Sequence, residues 1–224
     1  MKVMNIESGE PLLDRSLGEP YVRGYLHRPA SKFGDGLVLT HGAGSNSNSP
    51  LIRAVADVLS ENGCYVLRCD LPFRQERPHG PPRPRDAERD RQGLKHAVES
   101  LRKHATGRLV LGGQSYGGRQ ASMLAAEQPQ LAQGLLLLSY PLHPPRKSAQ
   151  LRVQHFPQLK AKVLFISGTR DPFGSIEELD TARKLITAPT SLMPIEGVGH
   201  DLGGARKSSE TVRMIWKAFQ DFFS

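Results

Sequence analysis

Five short apolar runs constrain this chain more than any other feature. They are "GLVLT" at 36–40, "CYVLRCD" at 64–70, "RLVLGG" at 108–113, "QGLLLLSYP" at 133–141 and "KVLFISG" at 162–168. Each has the length of one strand and is almost continuously apolar. Strands of that kind are buried on both faces, as in a parallel sheet with helices on either side. The stretches between them supply the crossover helices that parallel neighbours need. Residues 50–62 put Leu51, Ala54, Val55 and Leu59 on one face and stop at "NG". From about residue 86, Ala87, Leu94, Ala97, Val98 and Leu101 form a second stripe. Residues 115–128 and 175–186 read as helices, and a last one presents Val212, Ile215, Phe219 and Phe222. "YVRGYLHRP" at 21–29 is the first clear strand, with further pairing before it left open, and "SLMPIEG" at 191–197 is the last. The expected fold is α/β: a doubly wound, mostly parallel sheet with helices on both faces, residues 1–224 forming one domain.

Two segments break the pattern. Residues 71–90 hold so many prolines that regular structure is not expected over most of their length. Their arginines alternate with Glu76, Asp86, Glu88 and Asp90, without the interleaved aromatics of a base-stacking surface, so a solvated flap is expected. Residues 141–161 are also irregular and too few for a full helical cap.

The chain carries a formal charge of +8 and a mean hydropathy of −0.41. A solvated basic surface explains that charge, and no nucleic-acid partner is expected; a nucleic-acid binder would show binding that weakens steeply with salt. The two cysteines, Cys64 and Cys69, fall in one strand at odd spacing, on opposite faces and roughly 16 Å apart at about 3.3 Å per residue, so no disulfide is expected. No signal-like segment opens the sequence and no apolar run is long enough to span a bilayer, so a cytoplasmic location away from membranes is expected.

In an open α/β sheet, ligands sit at the carboxyl ends of the strands. The informative residues fall there. "GQSYG" at 113–117 is G-x-S-x-G between a strand and a helix, which makes Ser115 a nucleophile candidate. A glycine-rich turn with a capping serine is the plainer alternative. A phosphate loop does not fit, because G-x-x-x-x-G-K-[ST] is absent. Asp171, in "GTRDPFG", follows the strand at 162–168; an ordinary turn aspartate is the alternative. His200, in "GVGHDL", follows the last strand and is preferred as the base over the other seven histidines. Asp201 reads as a loop residue, and Glu177 and Glu178 fall inside a helix.

With the order Ser115, Asp171, His200, the chain resembles the α/β-hydrolase superfamily, most closely its small dienelactone-hydrolase-like members. The resemblance runs from the strand before His41 to the last helix. It implies a serine hydrolase of carboxylesterase type, acting on an ester or thioester of a small acyl substrate, with an open cleft and no cap. No cofactor and no metal is implied. "HGAG" at 41–44 resembles the loop that lends a backbone N–H to the oxyanion in this fold, with Ala43 the preferred donor over Gly42, Tyr116 the second donor and His41 structural. Dienelactone hydrolases proper use cysteine where this chain has Ser115, so their substrate is not carried over.

Phe73, Arg74, Arg119 and Phe173 are the candidate substrate-binding residues, with Tyr116 and Tyr140 nearby. Arg119 stands one helical turn beyond Ser115. It suits either a bidentate contact to a substrate carboxylate or, as the preferred reading, a brace to a carboxylate such as Asp70. A catalytically silent member of the same fold, serving as a binding or scaffold module, is the competing functional class.

Overall fold

The computed structural model describes residues 9–30, 34–203 and 208–224. Eight strands form one sheet: β1 Glu10–Asp14, β2 Val22–His27, β3 Gly36–Thr40, β4 Tyr65–Cys69, β5 Leu109–Gln114, β6 Gly134–Leu138, β7 Lys162–Gly168 and β8 Thr190–Ile195. Their spatial order is β1-β2-β4-β3-β5-β6-β7-β8. β1 pairs with β2 and β2 with β4 antiparallel; every other neighbour is parallel. The expected α/β sheet is therefore present, extended at one edge by the antiparallel strand β1.

The apolar runs alternate sides as pleated strands must. Val38, Leu111, Leu135, Leu137, Val163 and Phe165 face one layer, built with helices α3 (Ala87–Leu101), α4 (Tyr116–Glu127) and α5 (Ile176–Arg183). Leu37, Leu39, Val110, Leu136, Leu138, Leu164 and Ile166 face the other, covered by α1 (Pro50–Glu61) and α6 (Ser208–Phe223). Cys64 belongs to the second layer and Cys69 to the first, both buried and unbridged, as their odd spacing requires.

Three local expectations need correction. Residues 71–90 are more ordered than their prolines suggested: a short helix α2 (Pro72–Glu76) and a 3-10 turn at Pro84–Asp86 lie within them. Proline starts both, because its fixed φ suits the first helical position and its missing N–H is not needed there. The face of α1 centres on Ile52, Val55, Ala56 and Leu59, while Leu51 and Ala54 sit at its margin. In α6, Phe219 and Phe223 are the buried rings and Phe222 is only partly buried, edge-on to Phe223. Among the described residues no helix is long and apolar enough to cross a membrane.

The register positions the site. Thr40 pairs with Gly113, Gln114 with Leu138 and Leu138 with Ile166, so β3, β5, β6 and β7 end side by side. The loops carrying His41, Ser115 and Asp171 start along that edge, and the loop after β8 brings in His200.

Candidate active site

Ser115 is the single residue between β5 and α4. It has φ 52° and ψ −117°, a conformation costly for a side chain with a Cβ. Two hydrogen bonds hold it: its N–H donates to Leu138 O (2.8 Å) and its carbonyl accepts from Arg119 N (2.9 Å); glycines stand two positions away on either side, at 113 and 117. A Cβ on Gly117 would lie 2.5 Å from His41 O and 2.7 Å from Thr40 Cγ2. One on Gly113 would lie 2.7 Å from the Gly117 carbonyl carbon. The helix can turn back over the strand only because those positions are empty.

His200 Nε2 lies 2.8 Å from Ser115 Oγ, and His200 Nδ1 lies 2.8 Å from Asp171 Oδ2. The Asp171 side chain is 1% exposed and its other oxygen accepts from Phe173 N (2.9 Å), so both oxygens are engaged. The Phe173 ring leans on the imidazole, centroids 4.2 Å apart. The loop carrying His200 reaches the end of β7 because Gly168 has no side chain; a Cβ there would meet Val198 O at 2.3 Å. Five other histidines are engaged elsewhere: His27 with Arg68 and Asp57, His96 with Pro20 O, His104 with Arg28, His143 with Glu178, His155 with Ser122; His79 is exposed on the 71–90 segment. Asp201 caps its own turn through Gly203 N, and Glu178 forms the capping box of α5 with Ser175.

His41 is fully buried and works through the backbone. Its Nε2 accepts from Leu71 N (3.1 Å), so Nδ1 carries the proton and donates to Gly42 O (2.9 Å). Burial holds its pKa below the ordinary value. The Gly42 carbonyl and the Ala43 N–H share one rigid peptide plane. Fixing the carbonyl, which also accepts from Ser45 N (3.1 Å), therefore fixes the direction of the Ala43 amide. Among the described residues, neither the Ala43 nor the Tyr116 amide has a protein acceptor.

A cleft of about 610 Å³ opens beside Ser115, lined among others by Ala43, Tyr116, Arg119, Met123, Arg152 and Phe173. Arg119 and Phe173 are where the sequence suggested. Phe73 and Arg74 are not in the cleft. Phe73 is buried between His41 and Tyr116, ring centroids 5.8 Å from each. Arg74 is buried and donates to the carbonyls of Ala43 (2.8 Å), Ser45 (2.7 Å), Arg77 (3.0 Å) and Gly80 (2.9 Å). Both are walls of the loop rather than surfaces a ligand meets. Their apolar and basic character matched a pocket, but helix α2 turns them inward.

The proposed brace between Arg119 and Asp70 is absent. Asp70 takes Arg23 (3.1 Å) on one oxygen and Ser47 N (2.8 Å) on the other. Sequence reasoning also passed over Asp90 and Arg152. Asp90 is fully buried and accepts from Phe73 N (3.0 Å) and the Tyr116 hydroxyl (2.8 Å). Burial raises its pKa to about 6. An acidic residue one turn into a helix gives no such signal. Arg152 stands in the irregular 141–161 segment, where no periodicity marks which way a side chain faces. Among the described residues no group of acidic, histidine and cysteine side chains could hold a metal ion.

Residues 34–223 match the family model described as an alpha/beta hydrolase domain. Solved structures agree on the fold. A dienelactone hydrolase from Anabaena variabilis is 23% identical, with a TM-score of 0.72 over 95% of this chain and 99% of that one. Est1E from Butyrivibrio proteoclasticus is 16% identical, with a TM-score of 0.74 over 96% and 99%. A propionate-bound esterase, Est2, from Thermogutta terrifontis is 15% identical, with a TM-score of 0.73 over 98% and 94%. Strand order, register and family model agree that this chain belongs to the α/β-hydrolase family.

Proposed function

We propose that the protein is a serine hydrolase that cleaves an ester or thioester of a small acyl substrate through an acyl-enzyme. The observation that carries this reading is the unbroken hydrogen-bond chain Ser115–His200–Asp171, two links of 2.8 Å, at a strained turn between strand and helix. His200 Nε2 takes the proton as Ser115 Oγ attacks the acyl carbon. Asp171 holds the Nδ1–H tautomer and stabilises the imidazolium. The Ala43 and Tyr116 amides receive the oxyanion; a single donor of that kind is worth about 3–4 kcal/mol of barrier. His200 then returns the proton to the departing alcohol or thiol. Water, deprotonated by the same imidazole, releases the acid and restores Ser115.

A fluorophosphonate probe and a p-nitrophenyl ester test this together. The expected result is one label per chain, on Ser115, with turnover reduced to background in Ser115→Ala. Asp171→Asn should keep the label site but lower kcat by about 10⁴-fold, because the amide favours the wrong imidazole tautomer. No labelling would leave the scaffold reading standing, and unchanged turnover in Ser115→Ala would remove Ser115 as the nucleophile.

A further inference from the structure

Three outer arginines of the 71–91 segment are neutralised, and Arg85 stands exposed to solvent. Arg77 pairs with Asp86, Arg89 with Glu19 and Glu76, and Arg91 with Glu127. The cleft beside Ser115 is different. Arg83, Arg119 and Arg152 line it, no aspartate or glutamate does, and none of the three has a carboxylate partner among the described residues. Arg119 Nε is buried with no hydrogen-bond partner, so its guanidinium is not spent on bracing the protein. Arg152 is fixed through its backbone, its N–H to Leu142 O (2.8 Å) and its carbonyl to the Tyr140 hydroxyl (2.6 Å), while its side chain makes one long contact, Nη1 to Pro141 O at 3.4 Å.

Neighbouring groups register this excess of positive charge. Burial and then the charge of Arg119 lower the Arg152 pKa. The same two causes, in the same order, push His155 down to about 4. Like charges held together beside a nucleophile, with no counter-charge, are stabilised by an anion that arrives with the ligand. A guanidinium fork meets a planar carboxylate through two parallel N–H···O bonds, which also fixes its orientation.

Resting on the serine-hydrolase reading, we infer that the substrate carries a carboxylate, held by Arg119 and Arg152 with Arg83 at the mouth, so that the preferred class is the half-ester or half-thioester of a small dicarboxylic acid. The acyl group then has one end on the arginines and its ester carbonyl at Ser115 Oγ. The charge rules that favour this anion disfavour a cationic or purely apolar acyl chain.

Matched esters test it. The full-length protein is assayed with p-nitrophenyl hemiglutarate and p-nitrophenyl butyrate. The expected kcat/KM ratio favours the hemiglutarate by about tenfold or more, and Arg119→Met or Arg152→Met brings the ratio to about one, mainly through KM. A merely structural arginine would lower both esters in proportion and leave the ratio unchanged. Equal wild-type turnover of the two esters overturns the inference while leaving the hydrolase reading intact.

A binding arm does not depend on turnover. Ser115→Ala is titrated by calorimetry with monomethyl glutarate, dimethyl glutarate and methyl phosphate. Monomethyl glutarate should bind about tenfold more tightly than the diester, and the added Arg119→Met or Arg152→Met change should remove the difference. Equal affinity for the two glutarates, or no binding of either, overturns the inference. Tighter binding of methyl phosphate overturns the carboxylate assignment in favour of a phosphoryl group.

Discussion

Asp90 is one carboxylate that holds two parts of the site. It ties the start of α2 through Phe73 N and the residue after Ser115 through the Tyr116 hydroxyl. Burial raises its pKa from 3.8 to about 6, so the folded protein keeps a proton there that the unfolded chain has lost. The sign follows from linkage: between about pH 4 and 6 the native state binds more protons, so this group's contribution to stability falls as pH rises through that window. Asp90→Asn should remove the slope. Its Oδ1 can accept from Phe73 N and its Nδ2 can donate to the Tyr116 oxygen, so both links are kept, the second with its direction reversed. The urea midpoint of Asp90→Asn, relative to wild type, should therefore rise from pH 4 to pH 7; a constant difference would show that Asp90 is not the titrating group. None of this was readable from the sequence, where Asp90 is one acid among many in a charged segment. Ser115, Asp171 and His200 were readable as neighbours because each follows an apolar run and has glycine close by. Sequence has no such marker for Arg152, or for the burial of Arg74.

At the scale of elements, the close crossing of α4 over β3 and β5 sets what the site tolerates. Gly117 and Gly44 look alike in the sequence, each a glycine in a motif. Their surroundings differ completely: a Cβ on Gly117 would strike His41 O and Thr40 Cγ2, while one on Gly44 would meet nothing within 4 Å. Gly117→Ala should destabilise by about 1–3 kcal/mol through overpacking, with a loss of turnover as the elbow shifts. Gly44→Ala should change stability by no more than about 0.5 kcal/mol. Chemical denaturation of both variants decides, and an equal effect would mean that the crossing is not the constraint. The strands were legible because continuous apolar runs have one solution in a parallel sheet. Helix α2 was not, because proline, a breaker inside a helix, stands here as the first helical residue. The buried face of α1 lies about one position from the expected stripe because Leu51 and Ile52 are equally apolar. Only the tertiary partner, α6, decides between them.

At the scale of the whole molecule, one sheet separates two apolar layers, and each layer contains one cysteine as an internal reporter. Cys64 lies with α1 and α6, and Cys69 lies with α3, α4 and α5. Burial pushes both thiols up to about 12, so neither is a ready nucleophile in the folded state. The two layers share every central strand. Losing one therefore exposes a face of the sheet that the other layer alone cannot keep flat and dry. If the chain unfolds as one cooperative unit, a thiol reagent should modify Cys64 and Cys69 at the same slow rate, set by global opening. Mass spectrometry of the labelled protein, with each Cys→Ala variant as a control, resolves the two sites. Much faster modification of Cys64 would mean that α1 and α6 detach before the rest, leaving the layer behind Ser115 intact. The loop carrying His200 leads into α6, so such detachment would also uncouple His200 from Ser115. Turnover would then be lost at a lower denaturant concentration than the structure around Cys69. Coincident loss of activity and of protection at both cysteines is the outcome expected from a single shared sheet.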